Sequence, residues 1–211
     1  MKSRQAAIAF LVAALAVAAA TVVLASSSGD DEAAAPVPGA ASSTTGSSTA
    51  TTAPGAPAVG ELRLAPGGLG PVRVGMTVAD ATAALGRTLR ALGLDPTGEK
   101  GCELYAPDGG PDGVGFMVAQ GTVARVDVIG GPVQTIEGLA IGQTEAEAQR
   151  RYGGRLEVTP HAYTEGGHYL TLVPADPAES QFRLVAETDG TVVTSIRGGR
   201  LPEVEFPEGC S

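Results

Sequence analysis

The stretch V-G-M-T-V-A-D-A-T-A-A-L-G at residues 74–86 recurs in modified form at residues 141–153, which read I-G-Q-T-E-A-E-A-Q-R-R-Y-G. The glycine, the threonine, two alanines and the closing glycine coincide in register, and Asp80 in the first copy corresponds to Glu147 in the second. An internal repeat of this kind indicates that one supersecondary unit is used twice.

Each copy has the sequence of a short capped helix. Thr77 and Thr144 are the predicted N-caps, and the acidic residue three positions after each threonine gives the pattern of a capping box. The closing glycine stands where a helix end favours a left-handed residue. Residues spaced i, i+4 are predicted to face the core, namely Ala81 with Leu85 and Ala148 with Tyr152.

Downstream of each helix, the residues alternate as they do in strands. The predicted strands are residues 116–119, 122–129, 169–173, 182–187 and 192–197. Asp189-Gly190 is a hairpin-turn dipeptide, and Gln120-Gly121 occupies the equivalent position. The predicted fold class is therefore α+β, with two tandem repeats at about 61–133 and 134–211, each a short capped helix packed on an antiparallel sheet of about three to four strands.

The G-M-T-V-A-D-A-T-A-A-L-G signature resembles the repeat shared by β-lactamase inhibitory proteins and the small lipoprotein of the outer-membrane barrel-assembly machinery. The whole 61–211 region, which closes with E-G-C-S, also resembles uncharacterised exported proteins of actinobacteria. The resemblance implies a helix-on-sheet domain that acts without catalysis, by contact with another protein. No binding residue of either family carries over to this sequence.

The N-terminus has the pattern of an export signal. Lys2 and Arg4 precede an apolar run at residues 6–25, and three acidic residues come after it at 30–32. This charge order leaves the N-terminus inside and exports the rest of the chain. Small residues before Ser26 suit signal peptidase, yet a run of about 20 residues also suffices to span a bilayer. Residues 1–25 are therefore either a cleaved signal peptide or a signal anchor, and the protein is expected to be secreted or anchored to the outer face of the cell membrane.

Residues 26–60 are rich in serine, threonine, alanine and proline and contain few large apolar side chains. Such a segment cannot bury enough surface to offset the entropy of ordering, so it is predicted to be a disordered linker. Its density of serine and threonine together with proline suits O-glycosylation.

The charge and the cysteines limit the possible functions. The chain carries 23 acidic against 14 basic residues, a net charge of −9, which disfavours binding to nucleic acid. The expected partner is another envelope or extracellular protein. Cys102 and Cys210 are the only two cysteines, and in an exported protein they are predicted to form a disulfide.

Both histidines lie in the stretch H-A-Y-T-E-G-G-H-Y at residues 161–169. A two-residue turn at Gly166-Gly167 predicts a hairpin over 161–172, in which Glu165 faces His168 across the strands. The two histidines are then about 13 Å apart at the rise of a strand, too far to share one metal ion. The sequence accordingly predicts no metal, no cofactor and no catalytic residue.

The exported domain is therefore predicted to be a non-enzymatic protein-binding module. The candidate interface residues lie on the hairpin: Tyr163, Glu165, His168 and Tyr169. The tyrosines, with Tyr105, suit either an interface or ordinary core packing. The alternative is an extracellular metal-dependent or acid/base enzyme that uses His161, Glu165 and His168, and a purely structural envelope spacer is a third hypothesis.

Overall fold

Strands dominate the computed structural model, which describes residues 57–95, 97–98 and 100–210. The predicted signal segment at 1–25 and the predicted linker up to residue 56 lie outside the described residues. The helices are α1 (Val78–Leu85) and α2 (Glu145–Tyr152). The strands are β1 (Arg63–Ala65), β2 (Gly68–Leu69), β3 (Val72–Arg73), β4 (Leu89–Ala91), β5 (Cys102–Pro107), β6 (Val114–Ala119), β7 (Thr122–Val128), β8 (Gln134–Thr135), β9 (Leu156–Pro160), β10 (His168–Leu172), β11 (Phe182–Thr188) and β12 (Val193–Arg200).

The twelve strands of the described residues form two sheets. The larger has eight strands in the order β4-β5-β6-β7-β12-β11-β10-β9, and every neighbouring pair is antiparallel. The smaller has four strands in the order β3-β2-β1-β8, with β1 and β8 parallel. Four strands from the first half of the chain and four from the second thus meet at the β7–β12 pair.

The core lies between one face of the eight-stranded sheet and the layer of small sheet and helices that covers it. Alternate residues of the long strands point into this core, among them Val126, Val128 and Ile196, and all three are buried. The two sheets approach closely at Gly198, where a Cβ atom would lie 2.4 Å from the carbonyl oxygen of Ala65. Only glycine fits this contact, so the packing of β1 on β12 depends on it.

Both predicted N-caps are confirmed, and Gly86 ends α1 in the predicted left-handed conformation, whereas Gly153 does not adopt it at α2 and the predicted capping box is incomplete at α1. The hydroxyl of Thr144 accepts a hydrogen bond from the Glu147 N–H at 3.2 Å, and the Glu147 carboxylate accepts one from the Thr144 N–H at 2.7 Å, which completes a capping box. At α1 the Asp80 carboxylate instead accepts the Thr77 hydroxyl at 2.7 Å, because aspartate is one methylene shorter than glutamate. The four residues predicted to face the core from the two helices are all buried.

The predicted α+β class with two tandem helix-on-sheet repeats is wrong. The described chain is mostly β, its two helices have 8 residues each, and β7–β12 pairing merges both halves into one eight-stranded sheet. Because helix caps are strong local signals in a sequence, the two capped stretches predicted more helix than the fold contains. The β1–β3 strands have only two or three residues, too few to show alternation in the sequence.

The predicted disulfide is confirmed. Cys102 on β5 is bonded to Cys210, with their Cα atoms 5.5 Å apart. The bond ties the C-terminal residues to the eight-stranded sheet, and such bonds are typical of oxidising compartments. Among the described residues, no helix has the length and apolar character needed to cross a membrane.

Candidate functional site

The candidate site lies on the outer face, defined here as the side of the eight-stranded sheet opposite the helices and the small sheet. Residues between the core-facing valines and isoleucine of β7 and β12 point to this side, and they include Arg125, Asp127 and Arg197. Both arginines are 95% removed from solvent, each with 5% exposure. Within the described chain, no buried side-chain nitrogen or oxygen lacks a hydrogen-bond partner.

Arg197 is the centre of a polar network on this face. Its guanidinium pairs with the Glu187 carboxylate, its Nε donates to the carbonyl oxygen of Val204 at 2.6 Å, and it lies over the Tyr169 ring, 5.8 Å from the ring centroid. Burial raises the pKa of Glu187, but hydrogen bonds from Arg197 and Ser195 and the charge of Arg197 outweigh burial, so its pKa lies below the ordinary value. Glu187 is therefore held as a carboxylate.

Arg125 fixes the C-terminal strap, defined here as residues 202–210. Its Nη1 donates to the carbonyl oxygens of Glu203 at 3.0 Å and Phe206 at 2.6 Å, and its Nε lies 3.0 Å from the Asp127 carboxylate. Within the strap, the Val204 side chain is fully buried. Two arginines and the disulfide thus hold the strap against the sheet.

Beside the strap lies an apolar groove of about 440 Å³, called the outer groove below. Arg125, Asp127 and Gly115 contribute to its floor. Its other lining residues are Leu92, Leu104, Gly113, Val114, Ile129, Pro207, Glu208 and Gly209. Leu92 is 47% exposed and Ile129 is 70% exposed, so two large aliphatic side chains at the groove remain open to solvent.

The predicted two-residue turn at Gly166-Gly167 is wrong. The strands of this hairpin pair His168 with Pro160, which leaves residues 161–167 as the connecting loop. The ring Nδ1 of His161 accepts backbone N–H groups from Tyr163 and Thr164, each at 3.1 Å, and so closes a local turn directly after Pro160. This side-chain-to-backbone turn ends the strand pairing earlier than the glycine pair suggested.

The structure gives the two histidines different partners. The His161 ring stacks on Tyr169 with centroids 4.4 Å apart, and its Nε2 lies 3.7 Å from the Glu187 carboxylate. The His168 Nδ1 lies 2.8 Å from the Glu145 carboxylate of α2. The predicted cross-strand partner Glu165 is exposed instead. Across the ranges that the structure describes, no group of three or more histidine, cysteine or acidic side chains could hold a metal ion.

Of the candidate interface residues, Tyr163 makes a hydrogen bond to a residue that lines the outer groove. Tyr163 is 66% exposed, and its hydroxyl donates to the Glu208 carboxylate at 2.7 Å. That hydrogen bond and the charge of Glu208 raise the pKa of the Tyr163 phenol. Tyr169 is half-buried in the network, and Tyr105 packs against the core. The hairpin and the groove are therefore joined through the strap.

Sequence reasoning missed the residues that form the groove. The run V-A-R-V-D-V at 123–128 places two opposite charges between core valines, which signals polar side chains on the second face of a buried strand. Ile129 directly after this run carried no signal of its own. Comparison with known proteins finds no matching family model, no matching curated protein and no matching solved structure.

Glu103 organises the loop that carries Leu92. Its carboxylate accepts the N–H groups of Asp95 at 2.9 Å, Leu94 at 3.0 Å and Leu104 at 2.8 Å. The hydrogen bond from Asp95 is the largest cause of a pKa below the ordinary value of 4.5, and the other two backbone bonds act in the same direction. The charged form of Glu103 thus favours the folded loop.

Glu103→Gln is expected to speed hydrogen exchange at Leu94 and Asp95, because glutamine offers one neutral acceptor in place of a carboxylate. Since the folded pKa is lowered, the protection in the unmodified protein is complete above the ordinary pKa and is lost as the pH falls through the folded value. Amide exchange measured between pH 7 and about 3 tests this, with exposed Glu157→Gln as the control. Equal exchange at Leu94 and Asp95 in both variants would show that the Glu103 carboxylate does not protect these amides.

Proposed function

We propose that this protein is a non-enzymatic binding protein outside the cytoplasm that contacts another protein through the outer groove and the adjoining Tyr163. The observation that carries the proposal is the exposure of Leu92 and Ile129 at a groove whose floor is rigidly bonded. Large exposed apolar side chains around a preformed concavity mark sites of protein contact.

The rigidity of the floor supports binding. Arg125 and Arg197 already satisfy backbone carbonyls and carboxylates, so they hold the strap in place and are not available as mobile groups. A surface fixed in this way loses little conformational entropy when a partner docks. The acidic charge of the chain further supports a protein partner in preference to nucleic acid.

The proposed location is outside the cytoplasm, either secreted or held at the outer face of the membrane by the N-terminal segment. The disulfide between Cys102 and Cys210 supports an oxidising compartment. The N-terminal charge pattern supports export, and the predicted linker at 26–60 would separate the domain from the membrane.

The test is crosslinking from intact cells of the source organism with the full chain as bait, comparing Ile129→Ser with Ile136→Ser. The two isoleucines are matched, with 70% and 65% exposure, but only Ile129 lines the groove. Burying an isoleucine is worth about 1.5–3 kcal/mol, so Ile129→Ser should lower partner recovery by about tenfold or more. Ile136→Ser should recover the partner as the unmodified chain does.

The same experiment examines the hairpin. Tyr163→Phe removes only the hydroxyl that bonds Glu208, whereas Tyr163→Ala also removes the exposed ring. If the ring contacts the partner, only the alanine variant should lose recovery strongly. A partner that is retained equally by Ile129→Ser and Tyr163→Ala would place the interface elsewhere on the protein.

A further inference from the structure

We propose that the outer groove recognises a basic side chain, arginine or lysine, flanked by large apolar side chains of the partner protein. This inference rests on the proposed function and specifies the chemistry of the partner. Three features of the groove support it. The groove exposes carboxylates to solvent, aliphatic side chains surround them, and Gly115 leaves room because it has no side chain.

The charged residues that line the groove are Arg125, Asp127 and Glu208. The Arg125 side chain is 6% exposed, and its guanidinium is bonded to Asp127 and to two strap carbonyls. The Asp127 side chain keeps 23% exposure, and Glu208, which accepts the Tyr163 hydroxyl, is an exposed residue at the rim. The charge that a partner meets is therefore carboxylate, which is complementary to a cation.

Asp127 is also incompletely compensated. Burial raises its pKa, even though the hydrogen bond and the charge of Arg125 and the charge of Arg197 lower it, and the charge of Glu187 adds to the rise. A second cation docked against the partly exposed Asp127 carboxylate would reduce this desolvation cost. An acidic partner residue would instead add another negative charge beside Asp127 and Glu208.

The lining next to Asp127 suits the stem and the neighbours of such a side chain. Leu104 and Pro207 line the groove, and Leu92 and Ile129 stand exposed there. Arginine and lysine carry an apolar stem that packs on aliphatic surface while the charged head reaches a polar partner. Arginine beside aromatic or aliphatic residues is also a frequent anchor at protein interfaces.

Because Gly115 has no side chain, the groove is deep beside Asp127, where the cation would dock. Gly115 pairs directly with Asp127 across the β6–β7 ladder and lies between the buried residues Val114 and Phe116. A Cβ atom at Gly115 would meet only the carbonyl oxygen of Tyr105, at 3.9 Å. Because the Cβ atom has room, Gly115→Val should place its methyl groups in the groove beside Asp127, and valine suits a strand.

The experiment screens the full chain against a bead-displayed library of random heptapeptides. Gly115→Val is the counter-screen, and Gly154→Val is its matched control because a Cβ at Gly154 meets nothing within 4 Å. The peptides enriched by the unmodified chain and by Gly154→Val, but not by Gly115→Val, should contain arginine or lysine next to leucine, isoleucine, phenylalanine or tryptophan. Affinity is then compared for each arginine peptide and its citrulline counterpart, which has the same shape without the charge.

The citrulline peptide should bind about tenfold more weakly or worse, as expected for loss of a charge-assisted hydrogen bond. Asp127→Asn should reduce the difference in affinity between the arginine and citrulline peptides. The comparison of the two peptides on the unmodified chain does not depend on whether Asp127→Asn folds. Gly115-dependent peptides that are acidic or purely apolar would overturn the inference and leave the proposed function standing. A screen without Gly115-dependent peptides would also overturn it, and the Ile129 and Ile136 comparison then decides the proposed function separately.

Discussion

Arg197→Leu is expected to lower the free energy of unfolding by about 3–5 kcal/mol, the cost of removing one partner from a buried ion pair. The side chains of Arg197 and Glu187 are 7% and 18% exposed, so water does little to solvate the carboxylate left behind. The variant also removes the donor to the Val204 carbonyl and the cation that lies over the Tyr169 ring. Denaturant unfolding at neutral pH measures the effect.

The loss should depend on pH in a defined direction. In the unmodified protein, burial raises the pKa of Glu187, but Arg197 and Ser195 lower it by more, so the folded pKa lies below the ordinary value of 4.5. The Glu187 carboxylate therefore stabilises the fold above pH 4.5, and this contribution is lost as the pH falls through the folded pKa. In Arg197→Leu, burial is no longer outweighed by Arg197, and the carboxyl protonates more easily. The difference in stability between the two proteins should therefore narrow below about pH 5.

A double variant separates the ion pair from the rest of the network. Arg197→Leu with Glu187→Leu removes both charges, so it should be more stable than Arg197→Leu alone, although Ser195 and His161 lose their contacts with the carboxylate. A single variant as stable as the unmodified protein at pH 7 would contradict the assignment of Arg197 as the centre of the outer-face network.

The sequence predicted the local features of the fold better than its assembly. The N-caps at Thr77 and Thr144 and five of the long strands follow from short patterns of residues, and all of them are present. The pairing of β7 with β12 joins distant parts of the chain, and neither strand carries a local signal for its partner. Two similar stretches therefore suggested two separate units where the strands form one sheet.

The candidate site was harder to predict for a related reason. The histidine stretch pointed to the hairpin because histidine and tyrosine carry chemistry, and Tyr163 does lie beside the groove through Glu208. The groove itself combines β5, β6 and β7 with the strap, which comes many residues later in the chain. Only the disulfide linked these regions in the sequence, since pairing Cys102 with Cys210 brings the C-terminus onto β5.

Cys102→Ala with Cys210→Ala is expected to lower the free energy of unfolding by about 2–5 kcal/mol, because the bond closes a long loop in the unfolded chain. The cysteines are 108 residues apart, and for so long a loop the entropy model places the stabilisation near the upper end of that range. Denaturant unfolding of the double-alanine variant and of the oxidised and reduced unmodified protein measures the effect. Reductant should change the unmodified protein and leave the alanine variant unaffected.

Loss of the disulfide should change the contacts of the strap in the folded protein less than it changes the free energy of unfolding. Arg125 and Arg197 still donate to the carbonyls of Glu203, Phe206 and Val204, and Val204 remains an apolar anchor, so the strap has contacts that do not need the disulfide. Amide hydrogen exchange should therefore rise most at residues 208–210, beyond the last arginine contact, where Glu208 and Gly209 line the outer groove. Because that wall would then move, the alanine variant should also bind the proposed partner more weakly while it remains folded. Uniformly rapid exchange from residue 203 onward would instead show that the disulfide, and not the two arginines, holds the strap on the sheet.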